Sequence, residues 1–395
     1  MLTYQNGIII SSHVWTTGPP DDLAEYASHK AREVLYIGHP LFPGEISKTF
    51  VKTFVKKDLK EQHIMRPKLP SIIPYFFDFL LSIIVVLSKR KKYDVFFGID
   101  PLNALAGLVL KKLGIVRFVV LYTIDYVPQR FKSRVLNRLY HLIDFHCVNN
   151  CNATWNLSER MSQQRRREYG DRIIVERQFT VPLGIHFNRI RKNAMNFRNQ
   201  GKLIYVGRLE KLFGVELVVE SFARLTKEFP NLELTIVGNG ELEHQLREMV
   251  KTFSLEKNVK FRGVIQSHIE LERLISEHTI GFAVYAPIQN SYKQYTDVGK
   301  PKLYMACGLP VVITRTPPIA KEIERTGAGI IVDYNPESVV RAVKTLLLDN
   351  ILYEQYRESA ILFAKQFDWE LIFDEAFSKL NKIFMNKETF SELHQ

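Results

Sequence analysis

Across residues 203–349, short β-branched runs alternate with amphipathic segments, and this alternation constrains the fold more than any other feature. The runs fall at 203–206, 232–237, 259–261, 280–284, 311–313 and 329–332. Helical patterns lie between and after them, near 215–229, 241–253, 268–278, 300–307, 318–326 and 336–349. Strands separated by helices pair in parallel through right-handed crossovers. Six such units in sequence predict one doubly wound domain.

The first half repeats the alternation less cleanly. Strands are predicted at 7–10, 33–37, 94–97, 117–122 and 145–148, and helices near 21–31, 75–91, 101–113, 131–142 and 158–168. Val181-Pro-Leu-Gly184 and the polar basic stretch to Gly201 read as a linker. The length of 395 residues suits two domains. The expected class is therefore α/β, with two doubly wound, Rossmann-like domains facing a ligand cleft.

The net charge of +12 is lopsided. Residues 1–180 hold 26 Lys and Arg against 16 Asp and Glu, whereas residues 181–395 hold 28 against 26. The densest basic stretches are 52–68, 89–92 and 165–167. Nucleic acid, an anionic membrane surface or a phosphorylated substrate could use such charge. No ribonucleoprotein motif, zinc finger or helix-turn-helix supports the first, so no nucleic-acid partner is expected.

Residues 69–88 approach the length of a membrane span only by including Pro70, Pro74 and Asp78. Asp near a helix centre opposes insertion by roughly 3 kcal/mol. With a strand-like run following, the segment reads as a buried helix; a helix dipping into a membrane is the alternative. The N-terminus lacks the basic start of a secretory signal, so a cytoplasmic location is expected, with possible attachment to the inner face of the membrane. The sequons at Asn152 and Asn156 are then chance matches. Cys147, Cys151 and Cys307 lack the further ligands of a zinc site and read as plain thiols.

Three constellations carry chemistry. In Tyr205-Val-Gly207-Arg208-Leu-Glu-Lys211-Leu-Phe-Gly214, a strand enters a glycine turn and then a helix. That geometry offers backbone N–H groups to an anion, and Arg208 adds a bidentate donor. Gly238-Asn-Gly240 marks a close backbone approach or a tight turn. Asp297-Val-Gly299-Lys300-Pro-Lys302-Leu-Tyr304 opens a short helix, where two lysines at a helix N-terminus suit a diphosphate. Asp297 stands where a carboxylate could bond sugar hydroxyls; read singly, it is an N-cap beside solvated lysines. There is no P-loop, no Gly-x-Ser-x-Gly, no His-Glu-x-x-His and no Asp-x-Asp.

Taken in order, YVGRLEKLFGVELVVESFARL, LTIVGNGELEHQL, VKFRGVI and KLYMACGLPVVIT resemble the carboxyl-terminal domain of the family 4 retaining glycosyltransferases (glycosyl transferases group 1) over about 160 residues. The resemblance implies the GT-B fold. An acceptor domain would span 1–190 and be joined by a returning helix at 368–390. A nucleotide-sugar donor domain would span 198–366. It also implies metal-independent transfer with retention, with no cofactor beyond the nucleotide-sugar substrate.

Carried over residue by residue, the resemblance makes Arg208 the donor-phosphate arginine. Donor contacts are expected from Gly207, Lys211, Gly238, Gly240, Gly299, Lys300, Lys302 and Tyr304, and base contacts from the backbone of Arg262-Gly263-Val264. Asp125, in LYTIDYVP, falls near the family's acceptor-side histidine, and Trp15, Thr17 and Gly18 fall where acceptor contacts are expected. The catalytic set is then Asp125, Arg208 and Asp297. The sequence departs from the family at Phe213, where a lysine is usual, and at Tyr295 and Leu303, where glutamates are usual.

The expected function is transfer of a sugar to a glycan or polyprenyl-linked acceptor in cell-surface polysaccharide biosynthesis. A catalytically impaired donor-binding partner subunit and a sugar-nucleotide epimerase of the same fold are the alternatives.

Overall fold

A computed structural model describes residues 4–14, 18–41, 48–55, 58–64, 73–190, 192, 201–289 and 291–392. The chain divides into two compact units, 1–182 with 372–395, and 183–371. Each is built on one sheet.

In the first unit the elements run β1 (Ile8–Val14), α1 (Pro19–Ser28), β2 (Glu33–Pro40), β3 (Thr49–Val55), β4 (Asp58–Ile64), α2 (Ile73–Ser88), β5 (Tyr93–Ile99), α3 (Pro101–Lys112), β6 (Val116–Thr123), α4 (Arg134–Asn150), β7 (Ala153–Asn156), α5 (Glu159–Tyr169) and β8 (Gln178–Thr180). Among the described residues the sheet order is β4-β3-β2-β1-β5-β6-β7-β8. The six strands from β2 to β8 pair in parallel, and β3 and β4 add an antiparallel edge. Part of the basic stretch 52–68 is thus strand, with its lysines on an edge where charge discourages further pairing. The chain leaves β1 toward β2 on one side and returns with β5 on the other. Their carboxyl ends form a topological switch point.

Residues 145–148, expected as a strand, lie inside α4. Ser133 caps that helix through Leu136 N–H, and Asp144, Cys147 and Val148 are buried at helical spacing. Asp78, the residue that argued against a membrane span, points inward from α2 and is fully buried. Among the described residues no helix is long and apolar enough to cross a membrane. Asn152 and Asn156 are buried and hydrogen-bonded within the unit, which leaves no folded sequon for modification.

In the second unit the elements run β9 (Lys202–Val206), α6 (Val215–Leu225), β10 (Glu233–Val237), α7 (Glu243–Thr252), β11 (Val259–Gly263), α8 (His268–Ser276), β12 (Ile280–Ala283), α9 (Gly299–Ala306), β13 (Val311–Thr314), α10 (Ala320–Arg325), β14 (Gly329–Val332), α11 (Pro336–Leu348) and α12 (Asn350–Lys365). The order β11-β10-β9-β12-β13-β14 is parallel throughout, with its switch point between β9 and β12. Val215, Val218, Val219, Phe222 and Leu225 bury one face of α6 at helical spacing. Helix α12 was not foreseen; Asp349 starts it by accepting from Ile351 and Leu352 N–H.

The unit boundary falls earlier than the sequence suggested. Residues 183–190 belong with the second unit, where Ile185 N–H donates to Phe367 O and Trp369 N–H donates to Ile185 O. The final helix, α13 (Trp369–Glu392), starts in the second unit and continues in the first. There Phe377 packs on Tyr4, Phe97 and Trp155, and Phe384 stacks on Phe118 at 3.8 Å.

Candidate functional site

The carboxyl ends of β9, β10 and β11 are woven together by backbone. Gly207 N–H donates to Val237 O at 3.0 Å, Gly238 N–H to Gly263 O at 2.8 Å, and Leu209 N–H to Asn239 O at 2.9 Å. The approach is so close that a Cβ on Gly238 would lie 1.8 Å from Gly207 O, and one on Gly240 would lie 2.4 Å from Leu209 O. This is why the two motifs carry glycine: the loops after β9 and β10 touch through main chain. Gly214 has φ +68° and caps α6, where any Cβ would strike Val284 O at 1.8 Å. The start of α6, with its outward N–H groups, is therefore fixed beside the glycine loops.

Arg208 projects from this platform with its side chain 55% exposed and pairs with Glu210 at 2.5 Å. Tyr205 OH donates to Arg208 O at 2.8 Å and holds the loop from beneath. Lys211 is exposed in the turn before Gly214, and Arg262, the penultimate residue of β11, and Val264, just beyond its end, are exposed too. These residues, with Gly207, Gly238, Gly240 and Gly263, line one rim of the second sheet.

Two predicted donor residues, Lys302 and Tyr304, and one predicted catalytic residue, Asp297, have buried side chains. Lys302 is fully buried; its ammonium donates to Leu183 O at 2.7 Å, pairs with Asp297 and lies over the Phe367 ring at 3.9 Å. Asp297 is buried too, accepting from Leu183 N–H at 2.8 Å and Val298 N–H at 2.9 Å. The pair pins residue 183 to the start of α9. Tyr304 is buried behind β9, its hydroxyl accepting from Val206 N–H at 2.7 Å. Their chemistry suits ligands, but their side chains turn into the fold. Lys300 is half-buried in the first turn of α9, and desolvation holds its ammonium below the usual lysine range. Gly299 opens the same helix.

Lys293 was not foreseen. It sits in the loop between β12 and α9, with its ammonium 4.7 Å from the Tyr292 ring, 5.2 Å from Phe213 and 5.6 Å from Tyr285. Phe213 immediately precedes Gly214, so the loop brings a cation next to the start of α6. Nothing in sequence spacing singles out Lys293, because of its three rings only Tyr292 is a neighbour in the chain, and Phe213 stands 80 positions away.

In the first unit, Asp125 is exposed after β6 and pairs with Arg130 at 3.5 Å. The loop end is set by Arg165, which belongs to the basic stretch 165–167 but is fully buried. Its guanidinium forks onto Asp144 at 2.9 and 2.7 Å, reaches Thr123 Oγ1 at 2.9 Å, and also bonds Asn156. Gly18 caps α1 in extended backbone, its N–H donating to Asp21 at 3.0 Å. Trp15 and Thr17 lie outside the described residues.

A second cluster, also unforeseen, occupies the switch point of this sheet. His13, near the end of β1, donates through Nδ1 to Asp100 at 2.8 Å, and its Nε2 lies 3.5 Å from Asp78. His39 Nδ1 lies 3.6 Å from the other oxygen of Asp78. Asn103 Nδ2–H donates to Asp100 at 2.7 Å. Asp100 has φ 121°, a strained conformation for a non-glycine residue. The Asp-Pro step at the strand end was the available signal, but its partners stand 22 and 87 positions away.

Burial opposes charge on His13, yet the two carboxylates prevail and its pKa is raised to about 9. This group contributes fully below the unfolded value near 6.5, and its contribution fades as pH rises through about 9. The span corresponds to about 3 kcal/mol. In urea melts, wild type is expected to lose that much relative to His13→Gln between pH 6 and 10. A flat difference curve would show that His13 is not charged in the folded state.

Residues 200–349, within the second unit, match the family model described as glycosyl transferases group 1. An uncharacterized glycosyltransferase of Methanocaldococcus jannaschii is 28% identical over 183 residues, covering 46% of this chain and 45% of its own. The N-acetylgalactosamine-N,N'-diacetylbacillosaminyl-diphospho-undecaprenol 4-alpha-N-acetylgalactosaminyltransferase of Campylobacter jejuni is 28% identical over 169 residues, 42% of each chain. The chain spans about half or less of the length of the curated relatives it matches. The crystal structure of Anabaena Alr3699/HepE in complex with UDP and glucose superposes with a TM-score of 0.69 at 15% identity, covering 95% of this chain and 99% of that one. Each unit thus has the Rossmann-like fold found in the domains of GT-B glycosyltransferase structures.

Proposed function

We propose that the protein is a retaining glycosyltransferase. It would move a sugar from a nucleotide-sugar donor to a glycan or lipid-linked acceptor in cell-surface polysaccharide synthesis. The observation that carries the reading is the glycine platform with Arg208 at the carboxyl ends of β9 and β10, inside the group 1 match. The named activity of the Campylobacter relative on a diphospho-undecaprenol substrate supports a lipid-linked acceptor.

In the proposed reaction the bond from the sugar's anomeric carbon to the diphosphate breaks. The acceptor oxygen bonds to that carbon on the same face, and its proton passes to the departing diphosphate. Charge grows on the diphosphate as it leaves. Arg208, the N-terminus of α6 and the nearby Lys293 stabilise it electrostatically. The role expected of Asp125 is to orient the donor sugar or stabilise an oxocarbenium-like centre, and no metal ion takes part. Asp297, Lys302 and Tyr304 act from behind by fixing the segments that carry the site.

A non-catalytic donor-binding subunit is the second reading, favoured by Tyr295 and Leu303 standing where the family usually has glutamates. A panel of nucleotide sugars, read by thermal shift and by slow donor hydrolysis, separates the two. One donor that both stabilises and is hydrolysed is the expected result. Stabilisation without hydrolysis or transfer selects the subunit, and no response to any donor sinks both readings.

A further inference from the structure

Helices α2, α3 and α4 pack side by side in the first unit, α3 contacting both of its neighbours. Helix α2 is apolar on both faces. Asp78, Leu81, Ser82, Val85 and Val86 point inward. Phe76 (61% exposed), Leu80, Ile84 (61%) and Leu87 form a stripe pointing outward. Helix α4 repeats the pattern, exposing Val135 (75%), Leu139 and Leu142 (65%) opposite its buried Asp144, Cys147 and Val148. A water-facing helix normally carries polar residues on its outer side, so apolar stripes on the two helices that flank α3 mark an interaction surface.

The surroundings of the stripes indicate the occupant. Lys89, Arg90, Lys91 and Lys92 follow α2 directly and are exposed, Lys91 pairing with Glu33 of β2. Lys132, Arg134 and Arg138 are exposed at the start of α4. From Ile73 to Lys92 the only acidic residue is the buried Asp78, and from Arg130 to Ile143 there is none. A second copy meeting this face would set basic rim near basic rim. Anionic headgroups complement the rim, and acyl chains complement the stripes.

We propose that the outer faces of α2 and α4 form a docking surface for an anionic lipid bilayer, on which the helices lie without crossing it. This goes beyond the transfer reaction and does not depend on the donor-site reading.

The test is co-sedimentation of the full chain with vesicles of phosphatidylcholine alone or mixed with phosphatidylglycerol, at low and high salt. Binding is expected to require phosphatidylglycerol and to weaken about fivefold for each of Lys89, Lys92, Arg134 or Arg138 changed to Gln. Ile84→Glu and Leu139→Glu, on separate helices, are each expected to lower it at least tenfold. Unchanged circular dichroism and donor response show that a variant is folded, and one folded variant of the two suffices. Equal binding to neutral vesicles, or none to either kind, overturns the proposal. So does a wild-type dimer that Ile84→Glu dissociates in the absence of lipid.

Discussion

Arg208→Ala is expected to lower donor turnover by about 100- to 1000-fold, the usual cost of removing one charged contact from a developing anion. The folded chain should barely notice. Arg208 is more than half exposed and its pair with Glu210 is a surface contact, so thermal stability without donor should stay within about 1 kcal/mol. The two halves of this expectation belong together. Loss of both the thermal shift and the hydrolysis by one donor, in a protein that melts normally alone, places the diphosphate on the glycine platform. Turnover that survives the substitution removes Arg208 from the reaction and moves the search toward Lys293 and Lys300.

Lys302→Ala should do the reverse. It leaves Asp297 buried without its cation, a change that typically costs about 3–5 kcal/mol. The loss should appear in denaturant melts without any donor. Lys302→Met combined with Asp297→Asn removes both charges, keeps similar volume and should recover much of that loss. Donor response in the folded double variant should resemble wild type. If the double variant is stable but no longer responds to donor, the pair contacts ligand after all.

The contrast between these two residues shows what the sequence could convey. Arg208 follows Gly207 at a strand end and Lys302 lies three residues past Gly299 at a helix start, and spacing treats them alike. What differs is direction. Lys302 lies on the second turn of α9 facing Leu183 and Phe367, partners 119 and 65 positions away. The second sheet was legible because its strands are short, β-branched and separated by helices of regular period. Residues 145–148 misled because Phe145, Cys147 and Val148, with the exposed His146 among them, read equally as strand. The His13–Asp100–Asp78 cluster was invisible for a related reason: its members meet only once β1, β5 and α2 are assembled.

The stacking of α13 on the first sheet has a consequence for how the protein is made. The first unit is written in two pieces, with about 190 residues of the second unit between them. A ribosome adding roughly 5–20 residues per second needs about 10–40 s to cross that gap. For that interval Tyr4, Phe97, Phe118 and Trp155 lack the aromatic partners that Phe377 and Phe384 later supply. The nascent first unit is then a bare, basic, apolar surface waiting for its last helix. Synthesis speed across the second unit, and any chaperone that covers the gap, should affect yield more than they affect the stability of the finished protein.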